Sequence, residues 1–153
     1  VEFRPLLARF TQTTLRVLDR CGLGCSSDET LPAHQRTGRQ GEEDAYFYLR
    51  SHGYVIVARN FRSPRRRGEI DLVGWDQGVL CFIEVKTRTS RAVKPAEAAV
   101  DREKRRELGG MAREYLRRVP VGVTCRFDVV SVYYDRFPTR VEIELFKNAF
   151  PVS

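Results

Sequence analysis

Gly68-Glu69-Ile70-Asp71-Leu72-Val73, followed after a short turn by Phe82-Ile83-Glu84-Val85-Lys86-Thr87-Arg88, reads as two consecutive strands. They carry charge where a buried strand should be apolar. Side chains alternate across a strand, so residues two apart share a face. Glu84 and Lys86 therefore point one way, and Ile83 and Val85 the other. If the strands pair, Asp71 can join the charged face. Two carboxylates and an ammonium there suit the binding of a hard divalent cation and the activation of a water. The competing reading is an internal Glu–Lys ion pair, or a strand with one solvated face.

The flanking elements follow from pattern. Tyr54 to Phe61 is apolar and β-branched, a strand. Arg62, Pro64, Arg65, Arg66 and Arg67 then make a basic turn, either a solvated charge run or a phosphate contact. Glu69–Trp75 and Val79–Arg88, joined at Asp76-Gln77-Gly78, should form an antiparallel hairpin. Upstream, Gly41 to His52 reads as a helix closed by Gly53. Its apolar face holds Ala45, Tyr46 and Leu49, and Glu42 falls on the same face. An acid there either serves the strands or simply favours the helix dipole.

Downstream, Pro95 opens a long helix whose buried stripe is Leu108, Met111, Ala112 and Tyr115. Lys104 lies on that side and either snorkels to water or reaches the acids. Arg102, Arg106, Arg113 and Arg117 share another face, a solvated stripe or a phosphate track. Gly109-Gly110 implies a kink or close packing. Cys125 to Tyr134 and Arg140 to Phe146 are the last strands, with Lys147 to Phe150 closing the domain. Asp128 inside the fourth strand is read as paired with Arg126 or a neighbour, with no chemistry assigned. The resulting order is αβββαββ, an α/β fold with a mixed sheet of about five strands flanked by helices.

The 153 residues suffice for one domain with a core. A net charge of +7 favours an anionic partner such as nucleic acid, or plain solubility. Residues 1–37 read as an extension with a basic amphipathic helix and a linker, and 38–153 as the folded domain. The extension could lie on a membrane surface, dock on a partner, or pack on its own domain. No apolar run reaches membrane-spanning length, so no integral membrane association is expected. Cys21, Cys25, Cys81 and Cys125 form no Cys-x-x-Cys pair, which suggests a reduced, cytoplasmic protein. His34 and His52 have no ligand partner at metal spacing, and no Walker loop is present.

Asp71, twelve residues, then Glu84-Val85-Lys86 resembles the PD-(D/E)xK signature of restriction-endonuclease-like nucleases. Gly41-Glu42, Asn60-Phe61-Arg62, Gly68 to Leu72, Glu84 to Arg88, Lys104, Arg126 to Val129 and Asn148-Ala149-Phe150 together look like the YraN-like family. Those are small bacterial proteins similar in fold to Holliday-junction resolvases. The resemblance covers about residues 38–150. Ile70 replaces the superfamily proline, Arg105 stands where a family glutamine is expected, and the Arg65-Arg66-Arg67 insert is longer than typical.

The resemblance implies a restriction-endonuclease-like fold and a metal-dependent endonuclease acting on DNA, branched or damaged DNA included. Asp71 and Glu84 would hold Mg²⁺ or Mn²⁺ with the Val85 carbonyl. Lys86 would position and activate water, and Glu42 would be an accessory acid. Arg62, Arg65, Arg66, Arg67 and Arg88, with Lys104 and Arg106, would meet backbone phosphates. Resolvase-like folds often act as dimers, although no residue pattern here fixes a homodimer. Two alternatives stand beside this reading. One is a non-catalytic nucleic-acid-binding module that keeps the nuclease fold. The other is an interaction protein that uses the N-terminal helix.

Overall fold

A computed structural model describes residues 33–88, 100–136 and 139–151. Two helices and five strands alternate as α1 (Ala33–Ser51), β1 (Val55–Ser63), β2 (Arg66–Asp76), β3 (Val79–Arg88), α2 (Arg102–Leu116), β4 (Cys125–Arg136) and β5 (Thr139–Phe150). The strands lie side by side in sequence order. β1–β2, β2–β3 and β4–β5 pair antiparallel, and β3–β4 pair parallel. A parallel neighbour needs a crossover, and α2 lies within it. This is the expected mixed five-stranded sheet flanked by helices, consistent with a restriction-endonuclease-like fold.

Each helix buries its apolar stripe on one face of the sheet. Ala45 and Leu49 of α1 pack with Leu72, Ile83, Val85, Val130 and Val132. Leu108, Met111 and Ala112 of α2 pack with Ile70, Val73, Phe82, Phe127 and Val129 on the other face. α1 ends as its glycine foretells. Gly53 has φ +90, and the N–H of Tyr54 reaches back to the carbonyl of Leu49 at 3.1 Å. Gly53 N–H donates to Arg50 O at 3.2 Å, completing a Schellman cap. Gln77 and Gly78, both at positive φ, form the two-residue turn between β2 and β3.

Some boundaries move. α1 begins at Ala33, inside the stretch read as linker, and runs through Gly38. Residues 34–40 are largely exposed, so they carry no apolar period to reveal the helix. α2 begins at Arg102 rather than at Pro95, which lies outside the described residues. Asp101 caps it from an extended backbone, accepting the N–H of Lys104 at 2.8 Å. The basic turn shrinks to Pro64-Arg65, because Arg66 and Arg67 belong to β2. β5 continues through Lys147–Phe150. At Gly110 a Cβ would stand 2.7 Å from Arg66 Nη1, so that glycine serves close packing.

Residues 1–32 lie outside the described residues, and the expectations placed on them do too. No helix among the described residues is long and apolar enough to cross a membrane.

Candidate active site

The site forms where the sheet forks. The β2–β3 ladder runs from Asp76↔Val79 to Leu72↔Ile83 and stops. Beyond that point β2 stays paired to β1 as far as Ser63↔Arg66, and β3 to β4 as far as Arg88↔Tyr133. Asp71 and Glu84 are the next residues in the broken register, so they face each other at the crotch. The Asp71 side chain takes over the lost ladder contact: Val85 N–H donates to its Oδ2 at 2.6 Å. Phe82, Glu84 and Lys86 share the face on which α2 packs. α1 covers the opposite face, so groups reach the fork from both layers.

Two lysines meet one carboxylate oxygen. Lys86 Nζ donates to Glu84 Oε1 at 2.8 Å, and Lys104 Nζ of α2 lies 3.5 Å from the same atom. Glu84 Oε2 is buried with no hydrogen-bond partner. Lys104 thus reaches the acids instead of snorkelling away. The Glu–Lys ion pair anticipated as the bland reading exists, yet it leaves half of the Glu84 carboxylate bare. A buried bare oxygen is costly unless something positive comes to it.

Asp71 feels the same deficit. Burial, then repulsion by Glu84, push its carboxyl from 3.8 up to about 7. The Val85 N–H works against this rise, Glu42 adds to it, and Lys104 opposes it. Among the described residues no three His, Cys, Asp or Glu side chains gather as a metal-holding group. The site therefore offers two carboxylates, and backbone oxygen would have to supply more. An unsatisfied Glu84 oxygen beside an Asp71 that resists ionisation fits a divalent cation.

Glu42 is half-buried on α1 and accepts a hydrogen bond from Asn60 Nδ2 at 3.0 Å. Close helix packing brings it in: a Cβ on Gly41 would collide with Thr87 Oγ1 on β3. Gly41→Ala should improve helix propensity, but overpacking here wins. The expected outcome is a loss of about 1–3 kcal/mol, partly restored by Thr87→Ala. Thermal unfolding of the single and double variants checks it.

The predicted phosphate-contacting residues divide. Lys104 stands at the fork. Arg62 pairs with Glu69 at 2.7 Å and, with Arg39, Glu42, Glu43, Arg59 and Asn60, lines a cleft of about 460 Å³. Arg65 lies 3.8 Å from Glu114, Arg66 crosses α2 at Gly110, and Arg67 is exposed. Arg88 is half-buried, its Nε buried without a partner. Arg106 lies on the exposed face of α2 with Arg102, Arg113 and Arg117.

Sequence reasoning gave no role to Asn60, Arg39 or Arg59. For Asn60 a signal existed, an amide in an edge strand between Arg59 and the aromatic Phe61. The residue sits at φ +48, a conformation asparagine tolerates better than most.

Asp128 is engaged as expected, and more widely. Arg126 Nε donates to it at 2.8 Å, Tyr54 Oη at 3.1 Å, and Asn148 N–H at 2.9 Å across a bulge between β4 and β5. Arg126 Nη2 and Lys147 Nζ also hold Asp76, at 2.6 and 2.7 Å. Both acids there are held by cations and leave no buried oxygen unpartnered, so this network holds structure, whereas the fork keeps a buried Glu84 oxygen without a partner.

The sequence pattern described as "Uncharacterised protein family UPF0102" matches residues 41–132. A UPF0102 protein of Koribacter versatilis is 53% identical over 144 residues, spanning 94% of this chain and 96% of that protein. One from Solibacter usitatus is 51% identical over 114 residues, 74% of this chain and 84% of its own. One from Porphyromonas gingivalis is 42% identical over 119 residues, 78% and 87%.

Proposed function

The chain belongs to the uncharacterised protein family UPF0102, and we propose that it is a divalent-metal-dependent endonuclease that hydrolyses DNA phosphodiester bonds. The observation that carries this reading is the incompletely satisfied carboxylate pair at the fork. Asp71 is pushed up to about 7, and Glu84 keeps one buried oxygen without a partner. Asp71 and Glu84 would hold Mg²⁺ or Mn²⁺, with the Val85 carbonyl as a further oxygen. When bound, the cation supplies charge neutralisation at the phosphoryl group and lowers the pKa of a water.

The protein's own groups then have distinct tasks. Val85 N–H fixes the Asp71 carboxylate, and the two lysines hold Glu84 in one orientation. Lys86 would orient the attacking water and steady developing negative charge on the phosphate. The exposed arginines of α2 and of the β1–β2 hairpin would track the backbone, giving salt-dependent affinity with little sequence preference. Branched or damaged DNA, met in the cytoplasm, is the substrate class this reading favours.

The test is cleavage of linear, single-stranded, flapped and four-way DNA with Mg²⁺ or Mn²⁺. Lys86→Ala is expected to lower the rate by about 100-fold or more, with DNA affinity little changed. Cleavage that survives both Lys86→Ala and Asp71→Ala would remove the site assignment. Tight, salt-sensitive binding without cleavage would favour the non-catalytic module, to which the Lys86–Glu84 ion pair is also suited.

A further inference from the structure

Asn60 holds an uncommon conformation next to the fork. In the β1–β2 register Arg59 pairs with Leu72 and Phe61 with Ile70, so Asn60 lies opposite Asp71. Asn60, Asp71 and Glu84 thus form one row across three strands. At φ +48 the Asn60 backbone is left-handed, which a non-glycine residue adopts at a cost on the order of 1–3 kcal/mol.

Its neighbours enforce that state. Phe61 is buried and packs edge-on against Tyr115 at 5.0 Å, while the Arg59 guanidinium lies 4.8 Å over the Tyr46 ring. With both sides pinned, the Asn60 amide is delivered to α1 and donates to Glu42 Oε2 at 3.0 Å. Glu42 is near enough for its charge to act on Asp71. Left alone, a half-exposed glutamate at the rim of an open cleft would sample several rotamers.

We propose that Asn60 is a positioning residue that acts through Glu42: its amide fixes that carboxylate beside the Asp71–Glu84 pair, completing the negative field that a divalent cation answers. The inference rests on the metal-site reading above and adds the residue that orients the acid contributed by α1. Outer-shell groups around a metal site commonly change metal affinity by about 10–100-fold when removed.

One substitution separates positioning from backbone support. Asn60→Gly keeps the left-handed backbone accessible and deletes only the amide. Its Mn²⁺ affinity, read by calorimetry on the full chain, is expected to fall about 10-fold. The metal-free melting temperature of Asn60→Gly should stay near that of the unaltered protein. Because the residue acts through Glu42, Asn60→Gly combined with Glu42→Gln should bind Mn²⁺ no more weakly than Glu42→Gln alone.

Unchanged Mn²⁺ affinity in Asn60→Gly, or losses that add in the double variant, would overturn the positioning role while leaving the metal site in place. Mn²⁺ affinity that is undiminished in Asp71→Ala, or absent from the unaltered chain, would overturn the metal site itself and the positioning role with it.

Discussion

Asp71→Asn should cut the cleavage rate sharply and at the same time make the metal-free protein more stable. The two effects share one cause. The carboxyl is raised because burial and Glu84 disfavour its charge, so once ionised it is a disfavoured anion in the metal-free fold. Asparagine keeps an oxygen for the Val85 N–H and removes the charge. In the folded protein the carboxyl titrates at about 7, above its ordinary 3.8. The group's contribution to stability is therefore fully present below about pH 4 and is lost as pH rises through 7.

The metal-free melting temperature of the unaltered protein should accordingly fall relative to Asp71→Asn between pH 4 and 7. The gap at pH 8 should correspond to a few kcal/mol, since each tenfold weakening of the acid is worth about 1.4 kcal/mol. Mn²⁺ should raise the unaltered protein's melting temperature more at pH 8 than at pH 6, because binding needs the ionised carboxylate. The cleavage rate of the variant should drop about 1,000-fold. Paired melts across pH check the first part, and a variant less stable than the parent at pH 8 would contradict it.

Arg126→Ala should be the most damaging structural substitution. The guanidinium is the only described group that holds both Asp76 and Asp128, and Asp128 is 0% exposed. Its removal leaves the buried Asp128 carboxylate with the neutral donors Tyr54 and Asn148 but without its cation, which costs about 3–5 kcal/mol. At about 2–4 °C per kcal/mol for a chain of this size, the melting temperature should fall roughly 10 °C.

The acid limb should change too. Burial raises the Asp76 carboxyl, but hydrogen bonds from Lys147 and Arg126 outweigh it and leave a net lowering. Its stabilisation is present above the ordinary carboxylate range and lost as pH falls through the lower folded value. Arg126→Ala should lose part of that limb. Urea titrations at pH 7 and pH 3 measure both effects, and a variant with parental stability would show that the network carries no net stabilisation.

The charged face on β3 could be read from two facts, alternation and an acid and a lysine two residues apart. Lys104 could be placed on the α2 stripe because Leu108, Met111 and Ala112 repeat at helical spacing. Glu42 was visible as an acid among Ala45, Tyr46 and Leu49. Local pattern could not show that Lys86 and Lys104 converge on the same Glu84 oxygen, because that depends on how α2 crosses the sheet. Nor could it join Tyr54, Asp76, Arg126 and Asp128, which meet only through sheet register. The first turns of α1 were hidden because exposed residues carry no periodic signal. The Asn60 conformation was hidden because it is imposed by Phe61 and Arg59 finding partners on two different helices.

The interval between the acids has a structural meaning. The five β2 residues of the ladder, the Gln77-Gly78 turn and the five β3 residues account for all twelve positions between Asp71 and Glu84. The spacing is a ruler whose zero is the turn, setting the fork roughly 17 Å from the hairpin tip at about 3.3 Å per residue. Adding one pair to the ladder would lengthen the interval by two and turn both acids to the opposite face. Only a second added pair would bring them back. With the same turn, a working interval can therefore change only in steps of four.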